Sequence, residues 1–295
     1  MPPLIRVNPL KLLLWTFRRN PTDVIDLYNT LSPVMQLATG GDMLNFGFWQ
    51  NGGAGDPLAA QRNLCDLVGE AALLGQSRRQ QQMIIDIGSG LGAPAQHWMS
   101  KFSSLDVICI NINRQQLACS LTAAGTADGG ARPSCINATS QMLPFPDGCA
   151  EKVIALESAQ HFRPLPEFIR ECRRILVPGG VLALAIPVTA LPLQGMAKLL
   201  RLGILSFTWS SEHYSADVVK SALASNGFSI SHLQSIGHQV YEPLAGYYLD
   251  HRPAIRGRIL AQYPAFLEAV LHRSLLKMRD ASKAGLIDYL VISAS

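Results

Sequence analysis

The run Asp86-Ile87-Gly88-Ser89-Gly90-Leu91-Gly92 carries the sharpest chemical signal in the sequence. It follows an apolar stretch and precedes a helical one. Three glycines let the backbone turn tightly and approach a ligand without Cβ obstruction. Such a loop alone is weak evidence, and Gly88, Gly90 and Ala93 also satisfy a loose dinucleotide pattern. The bland reading is a glycine turn with Asp86 capping the helix.

The acid separates the candidate ligands. Asp86 lies two residues before the first glycine, where its carboxylate would repel a pyrophosphate. S-adenosylmethionine has no phosphate and carries an ammonium and a sulfonium, which a carboxylate favours directly or through backbone and water. Open parallel sheets bind ligands at the carboxyl ends of their strands, where this loop falls.

Four further segments bear on the same chemistry: Asn111-Ile112-Asn113-Arg114-Gln115-Gln116-Leu117, Leu143-Pro144-Phe145-Pro146-Asp147, Glu157-Ser158-Ala159-Gln160-His161-Phe162 and Arg173 to Gly180. With the glycine loop they make the chain resemble the class I S-adenosylmethionine-dependent methyltransferases. More narrowly, it resembles the small-molecule branch with the macrolide and glycoside O-methyltransferases and the tocopherol methyltransferases. The resemblance implies a Rossmann-like α/β fold: a seven-stranded, mostly parallel sheet with helices on both faces, an N-terminal helical cap and an inserted helical lid. It also implies S-adenosyl-L-methionine as cofactor, leaving as S-adenosyl-L-homocysteine.

Site residues carry over position by position. Asp86, Gly88 and Gly90 form the cofactor turn. Asn111 stands where the family has an acid for the ribose hydroxyls; Asn keeps hydrogen bonding but loses charge assistance, so Asn113 or Gln116 can take over. Asn137 stands where an acid usually meets the adenine amino group, followed by Ala138 and Thr139. Glu157 falls near the transferring methyl and His161 where the family often has histidine. With a reference pKa of ~6.5, His161 suits a general base for a hydroxyl acceptor; the alternative is a packed residue or a cofactor contact. Tyr28, Asn45 and Trp49, the last two from the aromatic run Asn45-Phe46-Gly47-Phe48-Trp49, are expected to close over the cofactor, with a cation–π gain of ~0.5–2 kcal/mol at the sulfonium. Gln160, His238, Tyr241 and Tyr248, with His251, are expected on the acceptor side. Arg252, Arg256 and Arg258 form a small basic group that fits a solvated face or a phosphate-bearing acceptor.

These residues need elements to hold them. Pro21 to Tyr28 starts a helix that Thr22 or Asp23 can cap, and Asp56-Pro57 opens another through Leu74. A Gly/Asn-rich loop, Gln50 to Gly55, lies between them. Apolar runs at Met83–Ile87, Val107–Ile112, Lys152–Leu156, Val181–Ile186, Phe228–Leu233 and Leu286–Ser293 read as strands. Helical spacing separates them, which means a parallel sheet covered on both faces. Residues 241–284 read as helical, with breaks at Pro243, Pro253 and Pro264. The expected organisation is a cap over 1–80 and a core over 81–295, with lid insertions at about 188–212 and 238–284.

Composition limits the function classes. Lys and Arg total 25, Asp and Glu 21, a net charge of +4 that lacks the dense positive stripe of a nucleic-acid binder. The 48% apolar content predicts a sizeable core. Six cysteines show no Cys-x-x-Cys pair and no nearby His at zinc spacing, so they read as buried thiols with no metal site and no disulfides. No run reaches the ~20 residues of a spanning helix. Arg18 and Arg19 follow the apolar stretch Leu12–Phe17 without a small-residue cleavage site, so a cytoplasmic location is expected. Leu10–Phe17 leaves weak contact with a membrane surface open.

The expected function is methyl transfer to a small, rather apolar metabolite, on oxygen with His161 as base and Glu157 beside the reacting atoms. Alternatives are carbon or nitrogen methylation of a prenyl diphosphate, quinol or lipid-like acceptor, a non-catalytic cofactor-binding partner subunit, and a nicotinamide oxidoreductase. The chain is expected as a monomer or homodimer.

Overall fold

The computed structural model describes residues 7, 20–41, 43–50, 55–76, 81–123, 132–190, 192, 195–209 and 212–295. The stretch Leu10–Phe17 and most of the loop Gln50–Gly55 lie outside the described residues.

Two helices come first. Helix α1 (Pro21–Thr39) is capped by Asn20 rather than Thr22 or Asp23. The Asn20 side chain accepts from the Asp23 N–H at 2.9 Å, and the Asp23 carboxylate accepts in return from the Asn20 N–H. Such a reciprocal cap satisfies two free donors and contributes about 1 kcal/mol. Helix α2 (Pro57–Ala71) is capped by Asp56.

The alternating part follows as β1 (Gln82–Ile87), α3 (Ala93–Lys101), β2 (Leu105–Asn111), α4 (Arg114–Ala123), β3 (Ser134–Asn137), β4 (Ala150–Leu156), α5 (Leu165–Ile175) and β5 (Leu176–Thr189). After these come α6 (Gly195–Leu202), α7 (Leu205–Thr208), α8 (Ala216–Ser225), β6 (Ile230–Ser235), α9 (Gly237–Leu260), α10 (Ala265–Lys283) and β7 (Ile287–Ala294). The seven strands lie in the order β3-β2-β1-β4-β5-β7-β6, and β7 alone runs antiparallel to its neighbours. This is the expected α/β fold.

Successive residues of each strand feed opposite faces. Ile84, Val107, Ile154 and Val291 pack with α2, α3, α9 and α10 on one face. Ile85, Ile110, Val153 and Ile292 pack with α5 and α8 on the other. Burial on both faces is why the strands read as continuous apolar runs.

Four details differ from the sequence reading. Strand β3 is an addition, four partly exposed residues with no apolar run to announce it. Strand β5 begins at Leu176, which pairs with Ala150 before the turn at Pro178–Gly180. Helix α9 continues through Pro243 and Pro253 and ends before Pro264. Its buried face, with Val240, Tyr241, Tyr248, Ile255 and Ile259, outweighs the missing hydrogen bonds. Of the six free cysteines only Cys65, Cys109 and Cys172 are buried, whereas Cys119 is exposed and Cys135 and Cys149 are half-buried. No helix among the described residues is long and apolar enough to cross a membrane.

Arg174 fixes a loop at the lower edge of the sheet. Its guanidinium holds the Glu171 and Asp147 carboxylates and the Leu143 and Phe145 carbonyls.

Candidate active site

The turn after β1 is built for close approach. Gly88 has φ +78°, and a Cβ there would stand 2.3 Å from the Ser158 Cβ. Its N–H and that of Ser89 donate to the Ile110 carbonyl at 2.7 and 3.1 Å, which closes the turn onto β2. Asp86 is buried, and its Oδ2 has no hydrogen-bond partner. Burial alone raises its pKa to about 7. An orphaned carboxylate oxygen in a cavity fits a cationic group and opposes a phosphate.

The ends of β2 and β3 meet in a network of neutral amides. Asn111 Nδ2 donates to the Gly90 carbonyl at 3.2 Å and to Gln116 Oε1 at 3.0 Å, while its Oδ1 accepts from the Asn113 N–H at 2.9 Å. Asn113 Nδ2 reaches Asn29 at 2.8 Å and Gln116 Nε2 reaches Ser32 at 3.2 Å, so α1 is tied to this edge twice. Asn137 turns inward, donating to the Asn111 and Ile112 carbonyls at 2.8 and 2.9 Å.

At the end of β4 the chain tightens. Glu157 has φ +50°, an uncommon backbone for a residue other than glycine and the kind of strain found at functional sites. Its Oε1 accepts from the Phe46 N–H at 2.9 Å and the Tyr289 hydroxyl at 3.0 Å. Burial raises its pKa to about 8 despite these two bonds, which favour the ionised form. A single 3-10 turn, Ala159–His161, then carries His161 to the cavity wall, where Nε2 lies 2.7 Å from the Tyr28 hydroxyl. Burial, with the Glu157 charge adding to it, raises the Tyr28 pKa, so the phenol keeps its proton.

These groups border one cavity of about 330 Å³. Tyr28, Asn45, Asp86, Gly88, Gly90, Asn111, Asn113, Gln116, Ala138, Glu157 and His161 all line it. The other expected site residues stand elsewhere. Asn137 caps β2 as described, and Thr139 is absent from the lining. Trp49 gives its Nε1 hydrogen to the Phe46 carbonyl and packs on Tyr247, and its ring is buried away from the cavity. Gln160 donates to the Glu157 carbonyl beneath the wall.

The expected acceptor group does not assemble around this cavity. Tyr241 is buried, with its hydroxyl on the Asp288 carbonyl. Tyr248 bonds Glu268 at 2.8 Å in the α9–α10 interface. The His238 side chain is exposed and paired with Glu242. Arg252 and Arg256 both turn to Glu268, at 2.8 and 3.7 Å. Helical residues three and four apart share a face, and for α9 that face meets α10.

Sequence reading missed Asn20, Pro21, Val24 and Ile25, which with Tyr28 present one face of α1 to the cavity. Their spacing of one, four, five and eight is the available signal, and it marks a face without saying what it covers. Ser140, Gln141 and Phe162 also join the lining. Among the described residues, no group of three or more His, Cys, Asp or Glu is placed to hold a metal ion.

Comparison with known proteins places this geometry. Residues 85–184 match the model of a methyltransferase domain. Over 243 residues the chain is 26% identical to the erythromycin 3''-O-methyltransferase of Saccharopolyspora erythraea, covering 80% of this chain and 78% of that protein. It is 29% identical over 213 residues to methyltransferase GfsG of Streptomyces halstedii, covering 70% and 73%. The solved structure of the cyclase SpnF superposes with a TM-score of 0.76 at 21% identity, covering 93% of this chain and 96% of that one. At that identity the likeness concerns the fold, and one fold hosts many chemistries.

Proposed function

Since the chain belongs to the class I S-adenosylmethionine-dependent methyltransferases of small molecules, we propose that it methylates a hydroxyl of a small, rather apolar metabolite. The observation that carries this reading is the Tyr28–His161 pair at the cavity wall, beside the strand-end Glu157. The similarity to a macrolide O-methyltransferase supports it.

When bound, the donor supplies a methyl group on a positively charged sulfur. Asp86 would hold the donor's ammonium group, and Asn111, Asn113 and Gln116 would hold its ribose hydroxyls. The acceptor hydroxyl gives its proton to Tyr28 Oη as the Tyr28 proton moves to His161 Nε2. His161 is thus the base, reached through a phenol that retains free lone pairs while it donates to the imidazole. Helix α1 covers the cavity and keeps water from the reacting atoms. We read residues 1–80 as a cap and 188–212 and 238–284 as lid insertions on the core.

Carbon or nitrogen methylation is the second reading. It draws on Glu157, whose carboxylate can stabilise a cation formed on the acceptor. The pairing of Arg252 and Arg256 with Glu268 removes those two arginines as partners for a diphosphate, which leaves Arg163, an exposed residue of the cavity lining, as the cation nearest that form of the reading.

A panel of hydroxylated macrolides, deoxysugar glycosides, quinols and prenyl diphosphates, incubated with methyl-labelled donor, tests the acceptor class. Label on oxygen, lost in His161→Ala while S-adenosylhomocysteine binding persists, is the expected result. Full turnover by His161→Ala would remove the base assignment.

A further inference from the structure

Glu157 sits in a closed circuit of four residues from four separate parts of the chain. Its Oε1 receives the Phe46 N–H at 2.9 Å and the Tyr289 hydroxyl at 3.0 Å. The Phe46 ring packs edge-on against Tyr241, with centroids 5.9 Å apart. Tyr241 in turn packs against Tyr289, at 6.3 Å, and its hydroxyl donates to the Asp288 carbonyl at 3.2 Å. The circuit therefore joins the end of β4, the aromatic segment before α2, the long helix α9 and the last strand.

Tyr289 is fully buried opposite Pro187 of β5, its N–H donates to Asp288 Oδ1 at 2.7 Å, and its carbonyl accepts from the Ile236 N–H at 2.9 Å. Its hydroxyl cannot turn to water, so it is committed to the carboxyl group. Two donors on Oε1 make that atom an acceptor in either protonation state of Glu157. The remaining oxygen, Oε2, is left to serve the cavity that Glu157 lines.

We propose that Tyr289 is a positioning residue of the transfer site: with the Phe46 N–H it reserves Oε1 of Glu157 and so directs Oε2 at the bound donor. The inference rests on the reading of Glu157 as a residue of the transfer site, but its test needs no acceptor and no turnover. Because the circuit includes Tyr241, the aim of the carboxyl group follows the seating of helix α9. Tyr289 does not itself line the cavity and reaches it through its bond to Glu157, so its effect passes through that residue.

The test is a double-mutant cycle read by calorimetry with S-adenosylmethionine at pH 9, where Glu157 is ionised. Tyr289→Phe removes one hydroxyl and keeps the ring. Loss of a hydrogen bond to a charged group corresponds to roughly a tenfold change in an equilibrium constant. Tyr289→Phe is expected to weaken binding about threefold to tenfold in the natural background and by less than about twofold in Glu157→Gln. The conservative Glu157→Asp, whose shorter side chain falls away from the hydroxyl, is expected to resemble Glu157→Gln in its indifference to Tyr289. Unchanged binding in Tyr289→Phe, or an equal loss in both backgrounds, would overturn the proposal. A failed acceptor screen with this cycle intact would count against methyl transfer to oxygen and leave the role of Tyr289 standing.

Discussion

The Tyr28 hydroxyl lies 2.7 Å from Nε2 of His161, and the two rings meet edge to face with centroids 5.3 Å apart. Helix α1 and the turn after β4 thus share one hydrogen bond across 133 residues of sequence. If the acceptor's proton travels through Tyr28 to His161, the two side chains act as one unit. Tyr28→Phe and His161→Ala are each expected to lower kcat about 100-fold, and the double variant to lower it no further. Steady-state rates on the acceptor found by the screen, with labelled donor, check this. Multiplying losses in the double variant would mean that the two residues act separately.

Asp86 and Glu157 carry a pH signature of the unliganded protein. Burial raises their pKa values from 3.8 and 4.5 to about 7 and about 8. Between these ordinary and raised values the folded protein holds more protons than the unfolded chain, so stability falls as pH rises through that window. Below it both states are protonated and the penalty is absent. In melting curves between pH 5 and 8.5 the Tm of the natural protein is expected to fall relative to that of Asp86→Asn, a difference in which groups of opposite sign, such as the half-buried His272, cancel. Carboxylates held low by partners, such as Asp66, Glu171 and Glu268, lose their contribution only below the ordinary carboxylate range. Their titration does not mask the effect. A Tm profile of equal slope in the natural protein and Asp86→Asn would contradict the account.

Much of this was legible from sequence because local chemistry and topology agree at the strand ends. Asp86, Gly88, Asn111 and Glu157 each lie within one residue of the end of an apolar run, and parallel topology brings such ends to one edge. What stayed illegible depends on packing between distant segments. Tyr241 and Tyr248 read as pocket residues because a tyrosine has a polar tip, yet their tips find Asp288 and Glu268 in the interior. The spacing along α1 marks a face without saying what it covers, and the reach of Tyr289 to Glu157 leaves no local pattern. Strand β3 is short and partly exposed, so periodicity says nothing of it.

The two inner glycines of the first turn are expected to fail differently. Both have positive φ, +78° at Gly88 and +56° at Gly90. A methyl on Gly88 collides with Ser158, which is pinned by its bond to the Ile87 carbonyl at 2.5 Å. Gly88→Ala is expected to cost roughly 2–4 kcal/mol of stability through strain and overpacking. A methyl on Gly90 meets only Leu44, at 3.7 Å, and both residues line the cavity. Gly90→Ala is expected to cost about 1–2 kcal/mol of stability for the backbone alone and to weaken S-adenosylhomocysteine binding more than about tenfold. Denaturant melts and calorimetry on both variants separate the two effects. Equal stability loss in the pair would show that φ and not Ser158 governs the turn.

The resemblance read from the sequence leads one to expect an acid at the position of Asn111, and the surroundings of Asn111 explain why an acid would be at odds with this chain. Both Nδ2 hydrogens are spent on oxygens, the Gly90 carbonyl and Gln116 Oε1. An aspartate would keep the bond from the Asn113 N–H but would turn a second oxygen toward those two acceptors. Rotation of the Gln116 amide can repair one contact, since Ser32 can donate as well as accept. The Gly90 carbonyl has no such remedy. Asn111→Asp is therefore expected to lower the stability of the unliganded protein by about 1–2 kcal/mol. Donor hydroxyls from a bound ribose would then meet a charged, under-satisfied acceptor, so affinity for S-adenosylhomocysteine is expected to rise, up to about tenfold. Melting the free protein and titrating the ligand measure the two signs independently. A variant as stable as the natural protein with unchanged affinity would show that the amide network does not exist in solution.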